Sequence, residues 1–199
     1  MEKKTPYAPD NLTQRPIAYY MEGFKAADPA EISERTGVPF ENGAFHLNVL
    51  GRERIIDWPE FLSEGFSDKE KILFLHYLLE GKKTVPSSDF ASYADLPWGA
   101  VYERNFRGRC INRLVGTFGT RTDAFQSAAE KLGGVKVPGS GIIEEIPFME
   151  NLKVRFIIWE GDDEFPASGQ IVFSANFPDA FAAEDRVVVC EVILGYMKQ

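Results

Sequence analysis

Apolar residues recur at two different spacings along this chain, and the change from one to the other divides it. Between Gln14 and Ala27, Ile17, Tyr20, Met21 and Phe24 follow the three- or four-residue interval of one helical face, which predicts a helix. DPAEISERTG predicts a second, short helix with Asp28 as N-cap, Pro29 as first residue and Gly37 as stop. In AFHLNVLGRERIIDW the interval becomes two: Phe45, Leu47 and Val49 alternate with polar residues, and the apolar pattern resumes at Ile55. A β-hairpin with Gly51-Arg52 as its two-residue turn is expected there. SDKEKILFLHYLLEG returns to helix, with Ser67 and Glu70 as a capping box and Gly81 as stop. It is apolar nearly all round, so this helix is expected at the centre of the molecule.

KKTVPSSDFASYADLPWG reads as loop, followed by helices from about Phe106 to Phe118 and, capped by Thr122, through TDAFQSAAEKLGG. The last third carries strand patterns in GIIEEIPFM, LKVRFIIWE and QIVFSANF. A closing helix is expected from about Ala182 to Met197, starting at Pro178-Asp179 or Glu184. Strands grouped near residues 44–57 and 140–175, antiparallel or mixed, with helices clustered between them, point to α+β rather than alternating βαβ. The expected organisation is one domain over residues 1–199, with residues 1–40 as a helical N-terminal extension.

Composition adds an aromatic core and a charge asymmetry. Sixteen Phe, seven Tyr and three Trp supply large apolar area within 199 residues. The net charge of −8 disfavours nucleic acid and anionic lipid as partners. Residues 101–121, however, hold five Arg and one Glu, a local balance of +4 that leaves −12 on the rest. Cys110 and Cys190 show no metal or iron–sulfur spacing. The polar start has no signal-peptide pattern, and ILFLHYLL is too short to span a bilayer, so a soluble cytoplasmic protein with reduced thiols is expected.

Two clusters carry candidate chemistry. Glu160, Asp162, Asp163 and Glu164 crowd the end of a strand after Trp159. They suit a hard cation or a general acid/base pair walled by Trp159 and Phe165, or else a solvated turn whose acids accept backbone hydrogen bonds. Arg104, Arg107, Arg109 and Arg113 recur near helical spacing, with Gly108 among them. Guanidinium groups so placed suit a bound carboxylate or phosphate, or internal pairing with the acidic C-terminal third, the 160–164 loop included. Trp98 and Tyr102 sit on a Pro/Gly-containing stretch, where aromatics often rim ligands. His76 reads as a hydrogen-bonded core residue and His46 as lying opposite the apolar face of its strand; the two Cys read as packing. No nucleophile elbow or phosphate loop occurs, KVPGSG being a turn.

LHYLL (Leu75–Leu79), LPWG with Tyr102, LGG (Leu132–Gly134), WEGDDEFP (Trp159–Pro166) and AEDR (Ala183–Arg186) together resemble the DUF3786 family. Asp163 stands where that family more often has Glu, and Pro97-Trp98-Gly99 where it more often has Pro-Gly-Gly. The cysteine-rich iron–sulfur segment of some relatives has no counterpart here. The resemblance implies a compact fold and occurrence in anaerobes, sometimes beside corrinoid and methyl-transfer proteins, with no established activity and no known cofactor.

The reading that fits these features is a non-catalytic binding protein. It would hold an anionic, partly apolar small molecule between Arg104, Arg107, Arg109 and Arg113 and the aromatic residues Trp98, Tyr102 and Trp159. The alternatives are a hydrolase with a divalent metal on Glu160, Asp162 and Asp163, and an interaction module that meets a partner chain or forms a homodimer. All of these readings take the 160–164 carboxylates to be neutralised by guanidinium groups from elsewhere in the molecule, so the acidic and basic clusters are expected to lie near each other in space.

Overall fold

The computed structural model describes residues 17–199. The Gln14–Pro16 start of the first expected helix lies outside them. Helix α1 (Ile17–Ala26) buries Tyr20 and Phe24. In α2 (Pro29–Thr36) the Asp28 carboxylate accepts the Ala30 N–H at 2.8 Å, and Gly37 ends the helix at φ 75°.

Strands β1 (Phe40–Glu41), β2 (Ala44–Val49) and β3 (Arg52–Asp57) form a three-stranded antiparallel sheet in that order. The hairpin turn is Leu50-Gly51, one position earlier than expected, with φ 51° and 72°. Positive φ at both central residues is what a type I′ turn demands. Leu50 accepts the strain because its N–H donates to the Phe148 carbonyl of the neighbouring sheet at 2.9 Å. The change slides the register by two residues, so side chains keep their faces. Ile56 meets Phe45 on the core side, and Ile55 meets His46 on the outer side and is exposed.

Helix α3 (Asp68–Glu80) has the expected capping box: the Ser67 side chain and Glu70 satisfy each other's backbone N–H groups. Leu73 to Leu78 are all buried, which confirms its central place. Within the Pro- and Ser-rich stretch that follows, β4 (Phe90–Ser92) was not expected; three residues are too few to show an alternation. Helix α4 (Gly99–Phe106), a π-helical turn (Arg107–Ile111) and α5 (Asn112–Phe118) run on as one rod. The rod begins at Gly99 rather than near Phe106, so the apparent loop LPWG is its starting turn, with Trp98 at φ 63°.

The remaining elements are α6 (Thr122–Glu130), β5 (Val135–Val137), β6 (Ile142–Met149), β7 (Leu152–Trp159), β8 (Ser168–Ser174), α7 (Phe177–Ala180) and α8 (Ala183–Tyr196). β5 overlaps the start of KVPGSG, which the sequence predicts as turn; its three residues pair with β6. Pro178-Asp179 begins α7, whereas α8 starts after Ala182, whose N–H donates to Asp185 at 3.3 Å. The second sheet has the order β4-β8-β7-β6-β5, antiparallel throughout. The α+β expectation therefore holds, with antiparallel pairing. Between Pro147 and Met149 the β6–β7 register shifts, a bulge centred on Phe148.

One face of the larger sheet carries Ile146, Phe148, Val154, Phe156, Ile158, Ile171 and Phe173, all essentially buried. Phe148 meets Phe74 of α3, and Phe173 meets Phe106 of the rod, so helices close this face. Ring contacts run without interruption through Phe66, Phe74, Phe148, Phe181, Phe177, Phe173, Phe106 and Tyr93. Part of the aromatic richness of the sequence goes into this spine, whose pairs add about 0.5–1.5 kcal/mol each beyond area burial. On the opposite face Glu145 binds Lys153 and Arg155, and Arg155 lies 3.7 Å above the Phe90 ring. Burial alone would raise the Glu145 carboxyl, but these two cations outweigh it and hold its pKa down. Among the described residues no helix is long and apolar enough to cross a membrane.

Gly99 is fixed by contact rather than by conformation. A Cβ there would sit 1.6 Å from the Tyr93 carbonyl oxygen, a backbone atom that cannot rotate away. Gly116, inside α5, has open space around it. Gly99→Ala is expected to destabilise by about 3 kcal/mol or more, and Gly116→Ala to stabilise by about 0.5–1 kcal/mol, measured as urea unfolding midpoints. Equal effects of the two changes would contradict this account of the helix start.

Candidate functional site

Helix α8 is sunk in the core, yet it carries Glu184, Asp185, Arg186 and Glu191. Burial of charge is costly unless each group finds a partner, and each does. Arg186, 1% exposed, donates to the carbonyls of Phe181 at 2.9 Å and Pro97 at 2.5 Å and lies over the Tyr93 ring. Tyr93 in turn donates to the Ala183 carbonyl at 3.0 Å, and burial, partly opposed by Arg186, pushes its pKa well up. Asp185 takes the Nδ1 side of His76 at 3.0 Å, which makes His76 the hydrogen-bonded core residue that its helix implied. Three of the resembling stretches thus meet: AEDR supplies Asp185 and Arg186, LHYLL supplies His76, and LPWG supplies the Pro97 carbonyl.

The arginine segment divides among different surroundings. Arg109, on the π-helical turn, is held bidentately by Glu191 at 2.9 Å through both Nε and Nη2, and by Glu184 through Nη1. Lys69 adds a 2.7 Å contact to Glu191. Hydrogen bonding to Glu191 and Glu184 outweighs burial and raises the Arg109 pKa further. Burial would raise the Glu191 carboxyl, but the hydrogen bonds from Arg109 and Lys69 prevail and lower it. Arg109 is therefore internally neutralised by the acidic C-terminal third. Arg107 lies 3.8 Å from Glu103 one turn back, both of them solvated. Arg113 borders a depression of about 390 Å³ together with Lys69, Glu191 and Tyr196. Arg121 donates to the Thr117 carbonyl and shares a hollow with Lys131 and Lys198, where α5, α6 and α8 all end. Three cations there match three helix C-termini, which carry partial negative charge.

Arg104 is exposed and has no ion-pair partner among the described residues. It lines, with Val101, Tyr102, Asn105, Gly108 and Arg109, a depression of about 540 Å³ open to solvent. Trp98 and Val101, 40% and 72% exposed, start the same helix. Gly108 does not serve close backbone approach, as its Cβ position is empty for 4 Å around.

The acidic loop is elsewhere in its bonding. Glu160 Oε1 accepts the Thr122 hydroxyl at 2.6 Å, at the start of α6, where a carboxylate also faces the positive helix end. Asp162 Oδ1 accepts the N–H groups of Phe165 at 2.7 Å and Glu164 at 2.9 Å, which lower its pKa in that order of weight. Asp163 and Glu164 are exposed. Trp159 donates from Nε1 to Ser140 at 3.1 Å, and Phe165 is exposed rather than walling a carboxylate. Among the described residues no ion pair joins this loop to an arginine, which corrects the expectation that opposite-sign clusters meet there. Nor, among those residues, do three or more His, Cys, Asp or Glu converge as metal ligands, so Glu160, Asp162 and Asp163 do not form such a group. Backbone N–H groups of the tight turn take Asp162, and the Thr122 hydroxyl at the start of α6 takes Glu160.

Residues 28–196 match the family model described as Domain of unknown function (DUF3786). The chain belongs to this family. The match takes in α2, which the sequence placed in an N-terminal extension. No curated protein and no solved structure matches the DUF3786 chain.

In this DUF3786 chain the sequence predicts pairing of the arginines with the acidic C-terminal third but not the partners of Arg109, Glu184 and Glu191, whose seven-residue spacing on one helical face was the signal. Arg109→Ala is expected to cost about 1–3 kcal/mol at pH 7, because two half-shielded carboxylates lose their partner. Glu191 has a depressed folded pKa, so its contribution is present above the ordinary carboxylate value and is lost as pH falls through the folded one. The stability gap between wild type and Arg109→Ala, read by urea unfolding, should therefore narrow from about pH 5 to about pH 3. A gap constant over that range would show that the clamp contributes no charge pairing.

Proposed function

We propose that this protein is a non-catalytic binding protein for an anionic, partly apolar small molecule. The ligand would lie in the depression on the α4–π rod, with its apolar part on Val101 and Tyr102 and its anionic group on Arg104. The observation that carries this reading is an arginine without an ion-pair partner among the described residues, set beside Tyr102 and Val101 in an open depression of about 540 Å³. Arg109 supports the site as a fixed neighbour, because its charge is already matched by Glu184 and Glu191. Arg107 and Trp98 flank these residues along the chain; Arg113, which borders a different depression, and Trp159, bonded to Ser140, drop out of this reading.

A metal-dependent hydrolase on Glu160, Asp162 and Asp163 is the weaker reading, since Asp162 and Glu160 are committed to turn and helix-start hydrogen bonds. Exposed Trp98 and Val101 favour, as a second reading, a protein partner or a second copy of the chain over the same helix start. Free, buried thiols support a cytoplasmic setting, and the charge of −8 supports the expectation that nucleic acid is not a partner.

Corrinoids, folates and nucleotides form a suitable calorimetric panel, with wild type compared against Arg104→Ala and Tyr102→Ala. At least one compound should bind wild type, and loss of the Arg104 contact should weaken it about tenfold, equal to about 1.4 kcal/mol. Absence of binding across the panel, or binding indifferent to both substitutions, would overturn the assignment. Light scattering on the same samples tests the second reading through the oligomeric state.

A further inference from the structure

Strand β3 ends the smaller sheet, with β2 on one side and no further strand on the other. Val49 and Arg52 flank the two-residue turn and form the hydrogen-bonded pair that closes the hairpin. Backbone polar groups alternate sides along a strand, so the N–H and C=O groups of Glu53, Ile55 and Asp57 point away from β2. The bond from the Asp57 N–H to the Leu62 carbonyl, at 2.9 Å, has that direction. Pairing on this edge stops at that one bridge: among the described residues no strand takes up the outward groups of Glu53 and Ile55. We propose that the outer edge of β3 is a docking edge for an extended, cationic peptide segment with apolar residues at alternate positions, which joins the sheet as a further strand.

Beyond the bridge, β3 and the chain after Leu62 enclose a depression of about 480 Å³. Its two apolar lining residues, Ile55 and Leu62, are both exposed and offer contact to the apolar side chains of a guest. Glu53, Asp57 and Glu64 line it as well, all exposed. Its one lining cation, Arg54, is turned elsewhere: Nη2 donates to the Tyr196 hydroxyl at 2.7 Å, which donates to Glu70 at 2.9 Å. Glu53 lies 3.0 Å from His46 Nδ1, and the surplus of carboxylate selects a cationic guest. Arg54 Nε and Ser63 Oγ are buried without a hydrogen-bond partner, and both residues line this same depression. The seam between β3 and the following chain is therefore incompletely bonded, and the carbonyl groups of an added strand are what its free N–H groups lack.

Charge on an edge strand ordinarily guards it against pairing. Here the guard has one sign, so it repels acidic segments and admits basic ones. It also repels a second copy of this chain. Antiparallel self-pairing centred on Glu53, Arg54 or Ile55 sets Glu53 against Glu53, Arg54 against Arg54, or Glu53 against Asp57. Like charges directly opposite destabilise a strand pair.

The test titrates the full chain with a blocked peptide of alternating Lys and Val, followed by amide hydrogen exchange and chemical shifts. The amides of Glu53 and Ile55 should exchange fast in the free protein and become protected with peptide, whereas those of Arg54 and Ile56 are protected throughout by β2. A peptide of equal charge with Pro in place of every Val lacks the alternate N–H groups and should not bind. The double variant Glu53→Gln, Glu64→Gln should weaken binding about tenfold, and Arg104→Ala should leave it unchanged, which separates this edge from the Arg104 depression. Ile55→Pro removes an outward N–H without costing the β2 ladder a bond; it should keep the native circular dichroism spectrum and lose the peptide. The exchange pattern of wild type decides the matter even where that variant folds poorly. Equal binding of the Pro-containing peptide, protection away from Glu53 and Ile55, protection of those amides by self-association without peptide, or no response at millimolar peptide would each overturn the proposal.

Discussion

The fold depends on matching the charges of a helix that is mostly buried. α8 lies among α3, the α4–α5 rod and the aromatic spine, and it brings acids and an arginine with it. Each is answered from a different element: His76 of α3 for Asp185, Arg109 of the π-helical turn for Glu184 and Glu191, and the Pro97 carbonyl ahead of α4 for Arg186. Breaking one half of such a pair leaves an uncompensated buried charge, which costs far more than the pair itself contributes. The arrangement therefore selects one docking of α8 and excludes slipped alternatives in which any of these groups faces apolar side chains.

The π-helical turn is where that requirement meets the rod. Without it, the stripe from Phe106 to Phe118 would wind off the core. With it, Cys110 points inward while Arg109, its neighbour, reaches the acids of α8 and Arg104 stays at the surface. The proposed ligand depression thus lies beside a local irregularity of a kind that occurs often at functional sites.

Much of the architecture was legible because the chain is locally consistent. The capping box at Ser67 and Glu70, the Asp28 and Gly37 boundaries of α2 and the long strands of the second sheet all follow from nearest-neighbour chemistry. The failures share a cause. β4 and β5 are three residues long, the glycine at the start of the rod is required by a carbonyl of Tyr93, and the hairpin turn is bonded to Phe148. None of these determinants is local. The candidate site shows the same division: helical spacing identified the arginines, but only the packing of α8 revealed which of them is already neutralised. The density of acid in WEGDDEFP was visible, whereas the Thr122 hydroxyl that occupies Glu160 comes from another element.

The bulge at Phe148 has an evolutionary corollary. By standing out of the β6–β7 ladder it turns a carbonyl toward the Leu50 amide and ties two separate sheets together. A one-residue deletion at that place would tidy the ladder and at the same stroke untie the hairpin from the rest. Descendants of this chain can therefore vary the lengths of their loops far more freely than the length of this one strand.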